Sequence, residues 1–252
     1  YSTSMVEIPE GYYPIKPLGR GWSHSYNSYI VRENNVGNEK IDYYNIVWPD
    51  GTIHIYNKDD NKYVTLGVYD EFDDNSSTIY ITKKNQVRYK YQKLDSDRLI
   101  YYLTEIRDSN RNEITIDYEN AEEDDTKRIE YVESPSGKKL RFEYANNTDY
   151  IKNITDPIGR EIRFDLDDDD DNRLENFYDA KGNRTRYRYI ENDAEAPLSE
   201  QINRFLLEEI KLPKGNEIKA TYNTDNAKLS SYRINNDDEV DIDVKFDYES
   251  NE

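Results

Sequence analysis

The sequence contains no cysteine, so it has no disulfide framework and no thiolate to serve as nucleophile or metal ligand. Histidine is almost as scarce: His24 and His54 are the whole complement. Without cysteine or a further histidine, neither can complete a zinc site. No apolar run approaches the roughly 18 residues that a membrane-spanning helix needs. The chain opens at Tyr1 without a signal sequence, and with its end at Glu252 it reads as a piece of a longer product. A basic excess is also missing, since 53 acidic residues against 34 lysines and arginines leave a net charge of −19. No concentrated basic patch offsets that charge, so neither nucleic acid nor membrane insertion is an expected mode of partnership.

What is abundant is tyrosine, 25 in 252 residues. Hydrophobic residues at 35% and charged residues at 35% would by themselves lean toward disorder. The tyrosines, however, alternate with charged residues in strand-like fashion. A tyrosine ring packs across strands like an aliphatic residue, while its hydroxyl reaches water or a polar partner at the sheet.

The alternation falls into a register, plainest in Ile154-Thr155-Asp156-Pro157-Ile158-Gly159-Arg160-Glu161-Ile162-Arg163-Phe164-Asp165-Leu166. With Ile154 as position zero, glycine stands at plus five and apolar residues at plus eight, ten and twelve, the period-two pattern of a half-buried strand. The register returns from Val132 (Gly137, Leu140, Phe142, Tyr144), from Phe177 (Gly182, Thr185, Tyr187, Tyr189) and from Ile210 (Gly215, Ile218, Ala220, Tyr222). Weaker copies start at Ile106 and Tyr232, where Arg111 and Asp237 replace the glycine. A series of this kind predicts an all-β repeat protein of consecutive antiparallel hairpins.

Ser134-Pro135-Ser136-Gly137, Asp156-Pro157-Ile158-Gly159, Asp179-Ala180-Lys181-Gly182 and Leu212-Pro213-Lys214-Gly215 are turn sequences. The first two central residues suit a type I turn and the glycine suits the left-handed position that follows, so Gly137, Gly159, Gly182 and Gly215 are the expected structural turn residues. A second apolar position lies three residues before each zero, at Leu103, Ile129, Ile151, Leu174, Leu207 and Leu229. Three is odd, so either a bulge restores the phase or both sheet faces are covered.

Residues 1–99 are spaced irregularly and read as a capping module, with strands over 41–48, 52–56, 78–82 and 86–91 and a hairpin at Trp48-Pro49-Asp50-Gly51. Residues 100–252 carry the six repeats, interrupted by insertions at 122–126 and 192–205, the second with near-helical apolar spacing. Asp167 to Asp171 is a run of aspartates that reads as a solvated loop. Alternating Asp165, Asp167 and Asp169 make calcium the sharper alternative, although the glycine and terminal glutamate of an EF-hand loop are missing. Ser23 and His24 form a triad only on paper, and Gly19-Arg20-Gly21 reads as a tight turn beside Trp22 rather than a phosphate loop. No catalytic residue and no cofactor is expected.

Asp156-Pro157-Ile158-Gly159-Arg160 with Phe164-Asp165, Tyr178-Asp179-Ala180-Lys181-Gly182-Asn183-Arg184 with Tyr187-Arg188-Tyr189, and Phe246-Asp247-Tyr248 resemble Rhs or YD repeats. Pro17-Leu18-Gly19-Arg20-Gly21-Trp22-Ser23-His24-Ser25-Tyr26 is similar to the element preceding the repeats in many bacterial Rhs proteins. The resemblance implies a twisted sheet of hairpins spiralling into part of a shell. It implies a non-enzymatic module of a secreted or cell-surface protein whose partner is the rest of the same polypeptide, including an enclosed C-terminal toxin or effector. The family's aspartyl self-cleavage region has no counterpart here, and no catalytic residue is carried over. The alternative is an adhesion module that binds cell-surface glycans through exposed tyrosines and carboxylates.

Because a Cβ is costly in the left-handed conformation, Gly159→Val is expected to lower stability by more than the roughly 1 kcal/mol of an ordinary glycine substitution. Urea unfolding of the variant checks this, and an unchanged midpoint would sink the turn assignment.

Overall fold

The computed structural model describes residues 16–19, 21–34, 42–95, 99–120, 127–146, 148–167, 172–190, 206–223, 228–236 and 239–248. Among these residues there are nineteen β-strands and no helix. Every strand pairing described is antiparallel. The all-β hairpin architecture read from the sequence is the architecture found. The predicted helical insertion at 192–205, the acidic insertion at 122–126, Asp169 and Asp237 lie outside the described residues.

Two compact units divide the chain, and the division does not fall at residue 99. One unit contains residues 23–139 and the other residues 18–22 and 151–252. The first unit opens with β1 (Tyr29–Asn34), β2 (Asp42–Val47), β3 (Ile53–Asn57) and β4 (Lys62–Tyr63). It continues with β5 (Glu71–Asp74), β6 (Thr78–Thr82), β7 (Arg88–Gln92), β8 (Ile100–Arg107), β9 (Glu113–Asn120) and β10 (Lys127–Glu133). Sequential hairpins link β1 to β4 and β5 to β10, and β8 joins the two series by pairing with β1. β1 takes residues 100–102 of β8, and β9 takes residues 105–107 along the same edge. That shared edge is why the first repeats pack with the preceding strands.

The core of this unit holds Ile30, Ile46, Ile79 and Ile81, all fully buried, together with tyrosines. The Tyr56 ring stacks on Phe72 at 3.9 Å, bringing β3 against β5, and Tyr44 meets Tyr101 edge-on at 6.1 Å. Three of the buried hydroxyls have an exit from the apolar layer, whereas that of Tyr63 is buried without a hydrogen-bond partner. Tyr44 donates to Asp74 at 2.7 Å, Tyr101 to the Ser76 carbonyl at 3.0 Å, and Tyr91 shares a 2.8 Å bond with Ser28. Tyr44, Tyr91 and Tyr101 therefore serve as core residues without stranding their polar ends.

The second unit contains β12 (Ile151–Thr155), β13 (Glu161–Leu166), β14 (Leu174–Tyr178), β15 (Arg184–Tyr189), β16 (Leu207–Lys211), β17 (Glu217–Tyr222), β18 (Leu229–Asn236) and β19 (Glu239–Lys245). β11 (Lys139–Tyr144) is divided between the units. From β12 to β19 each strand pairs with the next in sequence. Within a repeat, position zero faces plus eight: Ile106 opposite Ile114, Ile154 opposite Ile162, Phe177 opposite Thr185 and Ile210 opposite Ile218. The copy from Tyr232 departs, because β18 runs on to Asn236 and Tyr232 pairs with Val244 instead.

The hairpin turns share one geometry. In Asp156–Arg160, the Gly159 N–H donates to the Asp156 carbonyl at 3.0 Å and the Asp156 N–H to the Arg160 carbonyl at 2.8 Å. The same pair of bonds closes the turns beginning at Trp48, Lys83, Asp108, Ser134, Asp179 and Leu212. It is a type I turn followed by a left-handed residue, and Gly159 has φ of 82°. Arg111 occupies that place in the Asp108 turn with φ of 69°, where its Cβ is strained.

Arg111→Gly relieves the strain at a position already left-handed and is expected to stabilise the chain by about 1 kcal/mol, a rise of roughly 2 to 4 °C in Tm. Calorimetry on the variant beside the parent checks it. A lower Tm would show that the arginine side chain contributes more than its backbone costs.

Candidate functional site

The odd spacing between the two apolar positions of each repeat is resolved by a bulge. Tyr118 pairs with Ile129 and Asp117 with Tyr131, leaving Glu130 as an extra residue. Glu175, Glu208 and Ser230 are extra in the same way between the next strand pairs, and Thr104 between β7 and β8. One inserted residue restores the phase, so the residue three before zero and the residue at zero lie on the same face.

The bulge leaves a backbone group to be satisfied. Hairpin pairing within a repeat ends where minus one meets plus nine, as at Asn176 opposite Arg186 and Glu209 opposite Lys219. Beyond that point the carbonyl at minus three needs another donor. The plus-twelve tyrosine of the same repeat supplies it. Tyr118 donates to the Leu103 carbonyl at 2.8 Å, Tyr144 to Ile129 at 2.8 Å, Tyr189 to Leu174 at 2.9 Å and Tyr222 to Leu207 at 2.8 Å. Burial raises the pKa of all four phenols, so each hydroxyl keeps its proton to donate. The sequence pattern had placed these tyrosines on the strand but had missed the bond. Its signal was the constant separation of fifteen residues.

In the turns that open with Asp108, Asp156 and Asp179, the aspartate is the organising group. Asp156 Oδ1 accepts from the N–H groups of Ile158 and Arg160, and Oδ2 from Arg160 Nε at 2.7 Å. Asp108 and Asp179 repeat this with Asn112 and Asn183 in place of the arginine. These bonds hold the three carboxyls below their usual range. The amide side chains of Asn112 and Asn183 act foremost for Asp108 and Asp179, and the Arg160 N–H for Asp156. Gly137, Gly159, Gly182 and Gly215 all take the left-handed position.

The opposite face of the second unit is polar. Glu209 lies buried between Arg188 at 3.3 Å and Lys219 at 3.8 Å, and Glu217 binds Lys211 at 2.7 Å and Lys219 at 2.8 Å. Beside β14 and β15 this face opens into a groove of about 630 Å³ lined by Asp167, Arg173, Glu175, Arg186, Arg188 and Glu208 among others. Its arginines are already paired, Arg173 with Asp167 at 2.7 Å and Arg186 with Glu175 at 3.6 Å. The lining can solvate a polar guest but presents no uncompensated cation.

The two described calcium candidates, Asp165 and Asp167, are drawn into such pairs. Asp165 faces Arg163 at 3.1 Å, and Asp167 accepts both the N–H and the Nε of Arg173. Among the described residues no three carboxylates or histidines converge as a metal site. Ser23 Oγ accepts from the Asn27 amide at 3.2 Å, and His24 Nδ1 accepts from the Tyr26 N–H at 3.3 Å. Burial lowers the His24 pKa to about 4. His54 Nδ1 accepts from the Trp48 indole at 3.0 Å and is also held neutral by burial.

Gly19 and Gly21 form the expected tight turn, with the Trp22 N–H donating to the Gly19 carbonyl at 3.3 Å. The indole then donates to the Tyr189 hydroxyl at 2.7 Å and meets the Tyr187 ring edge-on at 4.6 Å. A contact across 167 residues had no local signal in the sequence.

Tyr144→Phe removes the donor while keeping the ring, leaving the Ile129 carbonyl unpaired in a buried site; the expected loss is about 1 to 3 kcal/mol. Tyr69→Phe, at a residue 72% exposed, is the control and should be near neutral. Urea midpoints of the two variants decide the matter, and equal midpoints would deny the hydroxyl its structural role.

No protein-family model and no curated protein matches the chain. Among solved structures it is similar to a porin-like protein from Bacteroides uniformis ATCC 8492, at 11% identity over 88% of this chain and 94% of that one, with a TM-score of 0.34. It is also similar to a porin-like protein from Bacteroides vulgatus ATCC 8482, at 12% identity over 90% of this chain and 99% of that one, with a TM-score of 0.26.

Proposed function

We propose that this chain is a non-enzymatic wall segment: a stack of hairpin repeats that encloses or displays another part of a larger secreted or surface-delivered bacterial polypeptide, as the resemblance to Rhs repeats implies. The observation that carries the reading is the tyrosine clip. A hydroxyl at one fixed repeat position closes the backbone at another in four repeats, and each repeat hands its last strand to the first strand of the next. Such a unit grows by addition, and each unit buries what its neighbour would otherwise leave open. Its mechanism is steric. The net charge of −19 keeps the wall soluble and resists adventitious contact.

Adhesion through aromatic side chains calls for several exposed tyrosines together. Among the described residues the exposed tyrosines are Tyr69 and Tyr248, one in each compact unit. Most of the remaining described tyrosine rings face core or cationic neighbours, as Tyr144 does beneath Arg128 at 4.6 Å and Tyr131 beneath Lys139 at 3.4 Å.

The test is limited proteolysis of the complete polypeptide encoded by the native gene, mapped by mass spectrometry. Enclosure predicts a flanking segment that is protected in the parent and cut at least tenfold faster when Gly159→Val loosens the wall. A flanking segment cut equally fast in both, or a gene that ends at Glu252 and a product with saturable glycan binding, would overturn the proposal in favour of adhesion.

A further inference from the structure

The segment around Trp22 is held by contacts more selective than burial alone requires. Gly19 has φ of 82°, and a Cβ built there would overlap the Asn172 carbonyl oxygen and stand 3.3 Å from a Leu166 methyl. Any side chain at that point is rejected by backbone, which cannot rotate away. Three residues later the Trp22 indole N–H donates to the Tyr189 hydroxyl at 2.7 Å, and Tyr189 in turn donates to the Leu174 carbonyl at 2.9 Å. The hydroxyl is thereby oriented before the indole arrives: its proton is committed to Leu174, which turns a lone pair toward the indole. The Tyr187 ring, edge-on at 4.6 Å and 61°, sets the plane in which the indole can lie. Leu18, 5% exposed, anchors the other end.

We infer that this trough on β13, β14 and β15 is a peptide-recognition site. Its ligand class is a tight-turn segment with glycine three residues before tryptophan, and Leu18, Gly19 and Trp22 of the same chain occupy it in cis. Two independent filters give it selectivity. The Asn172 carbonyl admits only glycine, and the preset Tyr189 hydroxyl demands an aromatic N–H donor; phenylalanine would fill the ring space and leave the hydroxyl unmatched. Tethering supplies an effective concentration in the millimolar range, so a ligand of modest intrinsic affinity stays docked while a free copy is kept out. The recognition operates whether or not the repeats enclose anything.

The test uses the whole chain carrying Trp22→Ala, which removes the indole and so loosens the tethered segment's hold on the trough, and a fluorescein-labelled synthetic peptide of residues 16–24 followed by anisotropy. The expected result is saturable binding to the Trp22→Ala chain, at least tenfold weaker to the parent chain whose trough is filled. Binding should also weaken at least tenfold when Tyr189→Phe is added or when the peptide carries Gly19→Ala. No saturable binding to a folded Trp22→Ala chain, or equal binding to parent and both variants, would overturn the site. Should Trp22→Ala fail to fold, hydrogen exchange of the tryptophan indole protons in the parent and in Tyr189→Phe decides: one indole proton should lose protection about tenfold, and unchanged protection of both rejects the inference.

Discussion

A single hydrogen bond, from a tyrosine hydroxyl to the carbonyl left over at a bulge, is the constraint on which four of the six repeats depend. Each repeat must place two apolar residues three apart on one face of a strand, and a pleated strand can do so only by inserting an extra residue. The insertion breaks the backbone ladder on the hairpin side. A buried carbonyl without a donor would cost on the order of 1 to 3 kcal/mol, and repeated along the chain that would be comparable with a domain's entire margin of stability. Tyr118, Tyr144, Tyr189 and Tyr222 remove the deficit. In these four repeats one side chain both fills apolar volume and reaches a backbone oxygen, whereas the repeat from Ile154 has Leu166 at that position.

The turns apply the same economy at the other end of the hairpin. One aspartate carboxylate receives two backbone N–H groups and a side chain of the fifth turn residue, so a solvent-exposed reversal is held by local bonds alone. Between turn and clip, the polar face is covered by paired charges such as Arg188, Glu209 and Lys219. Pairs whose cation stays half-exposed, as Arg188 and Lys219 do, contribute little to stability individually. Their greater effect is on register, since a one-residue slip would turn charges into the apolar layer.

Most of the strands and turns were legible in the sequence because both are local. The strand predicted over 78–82 is β6 residue for residue, and the turns with glycine at plus five all close as their residues indicated. The Tyr232 copy was misleading for the same reason: its apolar spacing matched, yet β18 extends to Asn236 and pairs in another register. Less was legible wherever two distant segments share one edge or one hydroxyl. The pairing of β1 with β8 shifts the first repeats into the unit of the preceding strands, and the docking of Trp22 on Tyr189 joins residues 167 positions apart.

The sequence by itself determined the class of structure, the hairpin period, the left-handed turn positions and the acidic, cysteine-free chemistry, because each rests on steric and solvation preferences acting within a few residues. Only the tertiary structure decided that bulges rather than a second covered face reconcile the odd apolar spacing. It alone decided that tyrosine hydroxyls close the carbonyls so exposed, and that Gly19 and Trp22 lie against β13 to β15. Those outcomes turn on which backbone groups remain unpaired after the strands have met, and that is a property of the assembled sheet rather than of any segment within it.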